Sequence, residues 1–469
     1  MKTLYLSETL SEHVACLVKD DHCIEAEAYV PEKSANVDAI YLGQVKRVDK
    51  SLNALFIDIG LPTAAYLDMK DLYNQVPTEG AFLLVQIIKA PFLGKGARVT
   101  EKINLKMNTA MVYLPLETGL FISNKIDQEK QTSIRGWFML EDEGLLIRTK
   151  GAAYSKEAAI ALFEQLKTYW QEILLKRKQV KKPGCLFDEH IIGEALLMEN
   201  SETLTHVLVD SQMLKQRIIN RFPDVKERVF YKHDLIAQLA PKIEAFMVSL
   251  AQPVIPLTKG IEIVVESTEA MTVIDVNSAG FTGKVNTHDS ALKINEIAAK
   301  GALKAIEARN ISGMIVIDFL RMPKKQMRDQ IEKLMKTTLK SSDRTTQAYG
   351  FSRMGLFEMT RKRTDKSLSH HWFDLTTKQL IKKPSTVYYE FERLLIGFHD
   401  EAAIIEMHPD FYQGFINEIE QSSLKEKVKQ EIILVENDAI NAFNIKHAGS
   451  SALINQVIKE KQFKHIDIL

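Results

Sequence analysis

Cysteine is scarce: three in 469 residues, Cys16, Cys23 and Cys185. An odd number with no C-x-x-C pair argues against a disulfide scaffold or a zinc knuckle. Net charge is missing too, since 61 Lys and Arg balance 61 Asp and Glu. That excludes a partner held by bulk positive charge and leaves local basic grooves open. No window reaches the ~18–20 consecutive apolar residues of a membrane span. Glu8 and Glu12 interrupt the amino-terminal stretch where a secretion signal needs an unbroken apolar run. Repeats and low-complexity tracts are absent. With 45% hydrophobic and 26% charged residues, the expectation is a soluble, cytoplasmic protein of about three domains, each able to bury its own core.

What is present changes character along the chain. AIYLGQVKRV (39–48), ALFIDI (54–59) and AFLLVQIIK (81–89) are short β runs joined by turn residues such as Gly60, Pro62 and Gly94-Lys95-Gly96, the pattern of a small barrel or sandwich. From Ser155 to about Lys182, Ala158, Ala161, Leu162, Leu166, Trp170, Ile173 and Leu174 recur at helical steps until Pro183-Gly184. Further on, two β runs (261–266 and 271–276), a helical stretch (290–308), and the apolar run MIVIDFL (314–320) form a βαβ pattern, with the last strand central in its sheet. The tail from Tyr388 reads as a small α/β module. The fold class is therefore α/β, multidomain.

Three constellations carry chemistry. Asp275 and Asn277 in VIDVNSAG face the same side of a strand, and Asp318 ends the strand MIVIDF. Two carboxylates and an amide oxygen in one sheet suit Mg²⁺. The residues alone leave a second account open, in which Asp275 caps a turn and Asp318 starts a helix. Phe56 and Tyr66 lie on neighbouring strands among Lys46, Arg47, Lys50 and Lys95, an arrangement that stacks bases and holds phosphates, unless Phe56 is core. Arg148-Thr149-Lys150 follows a strand and offers a guanidinium fork and a hydroxyl to a terminal phosphate, or is ordinary surface. Weaker signals are the run Lys176 to Lys182, read as a solvated helix end or an RNA contact, and Arg361-Lys362-Arg363, read as a backbone-contacting patch. His370-His371 reads as an exposed loop.

Taken in order, these segments resemble the ribonuclease E/G family of bacterial endoribonucleases. AIYLGQVKRV, ALFIDIG and AAYL look like its oligonucleotide-binding barrel, and GLLIRTKG is similar to its 5′-sensor. STEAMTVIDVNSAG and RNISGMIVIDFLRM look like its two catalytic signatures, followed by FSRMGLFEMTRKR. The resemblance covers about residues 1–366, more weakly to the end. It implies an RNase H-like subdomain (1–35 and 188–250), an OB-fold barrel (36–108), a 5′-sensor region (109–187), a DNase I-like catalytic subdomain (251–375), a linker (376–386) and a small C-terminal α/β domain (387–469).

By the same resemblance, Asp275 and Asp318 would bind Mg²⁺ (or Mn²⁺ as substitute) and Asn277 would orient the reaction. Phe56, Tyr66 and Lys95 would bind RNA, and Arg148 and Thr149 would hold a 5′-monophosphate. The implied activity is single-strand-specific cleavage of A/U-rich RNA by metal-activated water, in rRNA maturation and mRNA decay. The implied alternative is an RNA-binding member with little or no catalysis. Two departures stand out. The family's C-P-x-C zinc link has no cysteine in the corresponding stretch, Trp372–Pro384, so no structural zinc is expected and any homodimer must use another interface. The family's DFIDM is DFLRM here, which places Arg321 near Asp318. Without a long disordered scaffold before Leu469, the chain is similar to the shorter, G-type members.

Overall fold

The computed structural model describes all residues except 32–34, 74, 92–94, 108–109, 259, 269, 279–287, 310, 340–345, 363–367, 375–380, 461–464 and 469, and except the side chains of 107, 288–289, 370 and 465–468. It divides into two units, residues 31–191 with 217–226, and residues 1–30, 192–216 and 227–469.

In the first of these units, five strands close into a ring: β1 (Ile40–Asp49), β2 (Ala54–Asp58), β3 (Ala65–Asp68), β4 (Phe82–Lys89) and β5 (Arg98–Thr100). The pairings run β1–β2–β3–β5–β4 and back to β1. Alternation decides which side chains fill the ring: Val45, Leu55, Ile57, Leu67, Val85, Ile87 and Val99 point inward. Each such burial stabilises by about 1.5–3 kcal/mol. Closure also removes the exposed strand edges of an open sheet.

A four-stranded sheet follows, built from Leu105–Met107, Met111–Leu114, Gly119–Ile122 and Gly144–Ile147. The helix Lys156–Gln179 packs into the same core, opened by Ser155, whose side chain accepts from the Ala158 N–H. Its buried stripe is Ala159, Leu162, Phe163, Leu166, Trp170 and Ile173. Ala158 and Ala161, which the spacing places on that stripe, are exposed. The helix stops at Gln179, short of Lys182, because Pro183 pushes the preceding residue toward extended backbone and Gly184–Phe187 then pairs as a strand with β1.

The other unit begins with an antiparallel meander, Lys2–Ser7, His13–Lys19 and His22–Tyr29, to which His206–Val209 and Val229–Tyr231 add in parallel beside the first strand. The five strands run in the order Val229–Tyr231, His206–Val209, Lys2–Ser7, His13–Lys19, His22–Tyr29. Cys16 and Cys23 are joined across that hairpin. The loop they close is short, so the bond is no framework for the fold.

A six-stranded sheet carries the residues of interest, in the order β6 (Val254–Thr258), β7 (Ile261–Ser267), β8 (Met271–Asn277), β9 (Gly313–Asp318), β11 (Phe357–Arg361), β10 (Thr346–Phe351). Helix α1 (His288–Ala308) connects the parallel pair β8 and β9, and α2 (Lys325–Leu339) connects β9 to β10. Both helices share a core with Ile261, Ile263, Ile274, Ile315, Ile317 and Phe357. Small residues Ala298, Ala299 and Ala302 bring α1 close to the sheet. β9 is central, as its apolar run predicts, yet it is covered on one side: Met314 is 49% exposed. The C-terminal sheet pairs Ala402–Met407 in parallel with Glu431–Glu436, flanked by Phe443–Gly449 and His465–Ile468. Among the described residues, no helix is long and apolar enough to cross a membrane.

Candidate active site

Strand periodicity sorts the catalytic candidates. Ile274, Val276, Ile315 and Ile317 are buried in the helix-packed core. Val273, Asp275 and Asn277 therefore share the opposite face of β8, and Met314, Val316 and Asp318 that of β9. Asp275 and Asp318 are register partners in the parallel ladder, on strands ~4.8 Å apart. Both are exposed, and neither makes a hydrogen bond or ion pair among the described residues. Asn277 follows on the same face, opposite Glu262 of β7.

The carboxylates thus sit at the C-terminal ends of two parallel strands, where open α/β sheets present their ligand sites. Like charges directly opposed on a sheet destabilise it by a few tenths to about 1 kcal/mol, which a shared divalent cation relieves. Among the described residues, no group of three or more His, Cys, Asp or Glu forms a metal cage. Two carboxylates with an amide oxygen nearby suit Mg²⁺, which keeps several waters. Arg321 is exposed and forms no ion pair among the described residues.

On the barrel, Phe56 belongs to the outer surface and not to the core, which takes Leu55 and Ile57 on either side. A register shift between Val45 and Arg47 inserts Lys46 and sets Arg47 opposite Phe56. Phe56 faces Tyr66, Tyr66 faces Arg98, and Arg98 faces Lys89. One row across the barrel therefore reads Arg47, Phe56, Tyr66, Arg98, Lys89. The two rings meet edge to face at 6.2 Å, and the Arg47 guanidinium lies 4.3 Å from the Phe56 centroid. Arg98 reaches Asp68 and Asp71 at 3.4 Å each. Lys95 is exposed. Its neighbour Gly96 runs so close to β3 that an added Cβ would sit 1.8 Å from the Ala64 carbonyl oxygen, so only glycine holds Lys95 beside that strand.

Arg148 and Thr149 are exposed just past the strand Gly144–Ile147, which runs parallel to Gly119–Ile122. The Arg148 N–H donates to the Ala110 carbonyl at 2.9 Å. The Thr149 hydroxyl lies 3.2 Å from that of Ser123, at the end of the neighbouring strand. Ser123 and Arg47 are the two neighbours that sequence reasoning missed, or left among several cations, because both depend on strand register.

Geometry bears on three weaker readings. Lys176 reaches the Leu186 carbonyl at 3.3 Å, while Arg177, Lys178, Lys181 and Lys182 are exposed. Arg361 belongs to no surface patch: it is 4% exposed and donates to the carbonyls of Ile306 at 3.4 Å and Ile311 at 2.8 Å. It serves the end of α1, where unpaired carbonyls need donors. Lys362 is exposed, and Arg363 lies outside the described residues. His371 sits on the short helix Leu368–Trp372, not on an exposed loop. Its Nε2 is 2.9 Å from the Glu12 carboxylate, which also accepts from Trp372 Nε1 at 3.0 Å and Arg393 Nη1 at 2.7 Å.

Comparison with known proteins bears on the whole arrangement. A family model described as Ribonuclease E/G family matches residues 107–364, a span that contains Arg148, Thr149, Asp275, Asn277 and Asp318. The chain belongs to the ribonuclease E/G family. Ribonuclease G of Haemophilus influenzae is 27% identical over 472 aligned residues, covering 90% of this chain and 94% of that protein. Ribonuclease G of Escherichia coli K12 is 26% identical over 426, covering 84% and 86%. Ribonuclease E of Synechocystis is 28% identical over 368, covering 73% of this chain and 54% of that protein. Membership agrees with the mixed α/β architecture, its closed barrel and its mixed sheets.

Proposed function

We propose that this family member is an Mg²⁺-dependent, single-strand-specific endoribonuclease that cleaves A/U-rich RNA in rRNA maturation and mRNA decay in the cytoplasm. The observation that carries the reading is the side-by-side placement of Asp275 and Asp318 at two parallel strand ends, with Asn277 on the same face. These residues would hold the cation, with Mn²⁺ as a substitute. When bound there, Mg²⁺ supplies a Lewis acid for the phosphodiester and lowers the pKa of a coordinated water. The Asn277 amide is suited to orient the attacked phosphate or the water, because it both donates and accepts. The helix-backed strands hold all three groups in place, so little reorganisation is needed.

The barrel row supports single-stranded RNA as substrate: two aromatic faces for bases and flanking cations for phosphates, with Lys95 nearby. Arg148 and Thr149, with Ser123, are suited to a 5′-monophosphate. We assign RNA holding to residues 36–108, end sensing to 109–187 and hydrolysis to 251–375, with 1–35 and 188–250 as scaffold. Residues 376–386 act as a linker without a shared zinc, leaving 387–469 as a small C-terminal domain.

A second reading, RNA binding with little cleavage, is favoured by one observation: the exposed cation of Arg321 three residues beyond Asp318. Incubation of the chain with a short A/U-rich RNA and its DNA counterpart in Mg²⁺ separates the two. Internal RNA cleavage with intact DNA supports the enzyme; retention of uncut RNA, even with Mn²⁺ added, supports the binder.

A further inference from the structure

The open face of the catalytic sheet holds more than carboxylates. One row across it is Met271, Met314, Thr360 and Gln347, and the next toward the carboxylates is Val273, Val316 and Glu358. In β10 the register shifts between Ala348, paired with Met359, and Gly350, paired with Glu358. Tyr349 is the inserted residue, two positions from Gln347 and exposed like it. Gly350 permits the insertion: its φ is +101°, and an added Cβ would meet the Glu332 carboxylate at 2.7 Å. The Tyr349 hydroxyl lies 3.5 Å from Thr360 Oγ1. Thr360 is paired with the exposed Met314, so the ring stands on the open face, 57% exposed.

The surroundings narrow what such a ring can hold. Glu262, Asp275, Asp318 and Glu358 place four carboxylates on the strands of this face, which do not themselves attract phosphates. A flat π-face on a sheet face that also carries Met314 and Val316 attracts another flat, weakly polar group.

We propose that Tyr349, with Met314 beside it, is a stacking position for an unpaired nucleobase of the RNA strand that flanks the scissile phosphate. The inference rests on Asp275 and Asp318 being the hydrolytic site. With strands ~4.8 Å apart and ~3.3 Å of rise per residue, the ring lies on the order of 12 Å from Asp318, roughly two nucleotides of extended strand. Stacking tolerates any base but needs that base free of its own neighbours. Tyr349 therefore adds single-strand selectivity at the cleavage site itself, independently of the barrel.

The test uses the full chain and a 5′-monophosphorylated A/U-rich RNA in Mg²⁺, with 2-aminopurine placed at one position at a time. Stopped-flow fluorescence reads base stacking on binding, before any cleavage. Expected is quenching at one or two adjacent positions near the cleavage point, kept in Tyr349→Phe and lost in Tyr349→Ala. The alanine variant should lose roughly tenfold in kcat/KM, with phenylalanine restoring it. An abasic nucleotide at the quenched position should cost the wild type a similar factor and cost Tyr349→Ala nothing more.

Cleavage with a quenching pattern that ignores Tyr349 overturns the stacking proposal and leaves the hydrolytic reading standing. Tyr349-dependent quenching without cleavage does the reverse. A phenylalanine variant that behaves like alanine assigns the effect to the hydroxyl and also overturns it.

Discussion

Asp275 and Asp318 face each other across two parallel strands whose next residues inward, Ile274 and Ile317, are fully buried. The carboxylates are therefore held together by a core that neither of them helps to build. Neutralising either one should cost no stability. In metal-free buffer, Asp275→Asn or Asp318→Asn is expected to leave thermal stability unchanged or raise it by a few tenths of a kcal/mol, as a like-charge contact is relieved. Added Mg²⁺ should stabilise the wild type by about 1.4 kcal/mol at roughly ten times its Kd and leave both variants unmoved. A thermal-unfolding titration checks this; equal stabilisation of all three would place the cation elsewhere.

The barrel row predicts graded effects on RNA retention. Phe56→Ala should weaken binding by about 1–3 kcal/mol, the worth of one stacked base. Arg47→Ala should cost less and reduce the salt slope by about one phosphate contact. Filter binding over a salt series measures both. A Phe56→Ala variant that binds as the wild type does would remove the row from the RNA path.

The preference for 5′-monophosphorylated over 5′-hydroxyl RNA should fall about tenfold or more in Arg148→Ala, since charge-assisted hydrogen bonds contribute roughly 1.5–3 kcal/mol. Ser123→Ala removes only a hydroxyl beside Thr149 and should change the ratio less. Matched cleavage rates on the two substrates give the ratio directly. No change in Arg148→Ala would make that arginine ordinary surface.

Glu12 yields a pH prediction. Burial alone would raise its carboxyl, but the hydrogen bond with His371 and the charge of Arg393 outweigh burial, and its pKa is lowered. A lowered folded pKa adds stability that is present above the ordinary glutamate value, ~4.3, and is lost as pH falls through the folded one. Glu12→Gln leaves Arg393 buried without its counter-charge and should cost about 3–5 kcal/mol near neutrality. Urea unfolding from pH 7 downward should show the gap to wild type narrowing in the acid range. A gap independent of pH would contradict the charge account.

What was legible in the sequence follows from period. Asp275 and Asn277 sit in one strand whose alternation fixes their common face, whereas the place of Asp318 beside Asp275 depends on strand pairing and register, which the residues alone left open. Arg361 stood in an equally regular strand, yet its reach to the end of α1 depends on helix packing that no local pattern encodes. Arg47 and Lys46 could not be told apart, because a single inserted residue reverses which one faces Phe56. His371 looked like loop because its partner, Glu12, lies at the other end of the chain.

The most direct measurement is cleavage of a short A/U-rich, 5′-monophosphorylated RNA in Mg²⁺ by the wild type beside Asp275→Asn and Asp318→Asn, with RNA binding followed in parallel. Internal cleavage by the wild type, and binding without cleavage by both variants, is the predicted result. Undiminished cleavage by either variant, or binding without cleavage by all three proteins even in Mn²⁺, would contradict the assignment of hydrolysis to this pair of carboxylates.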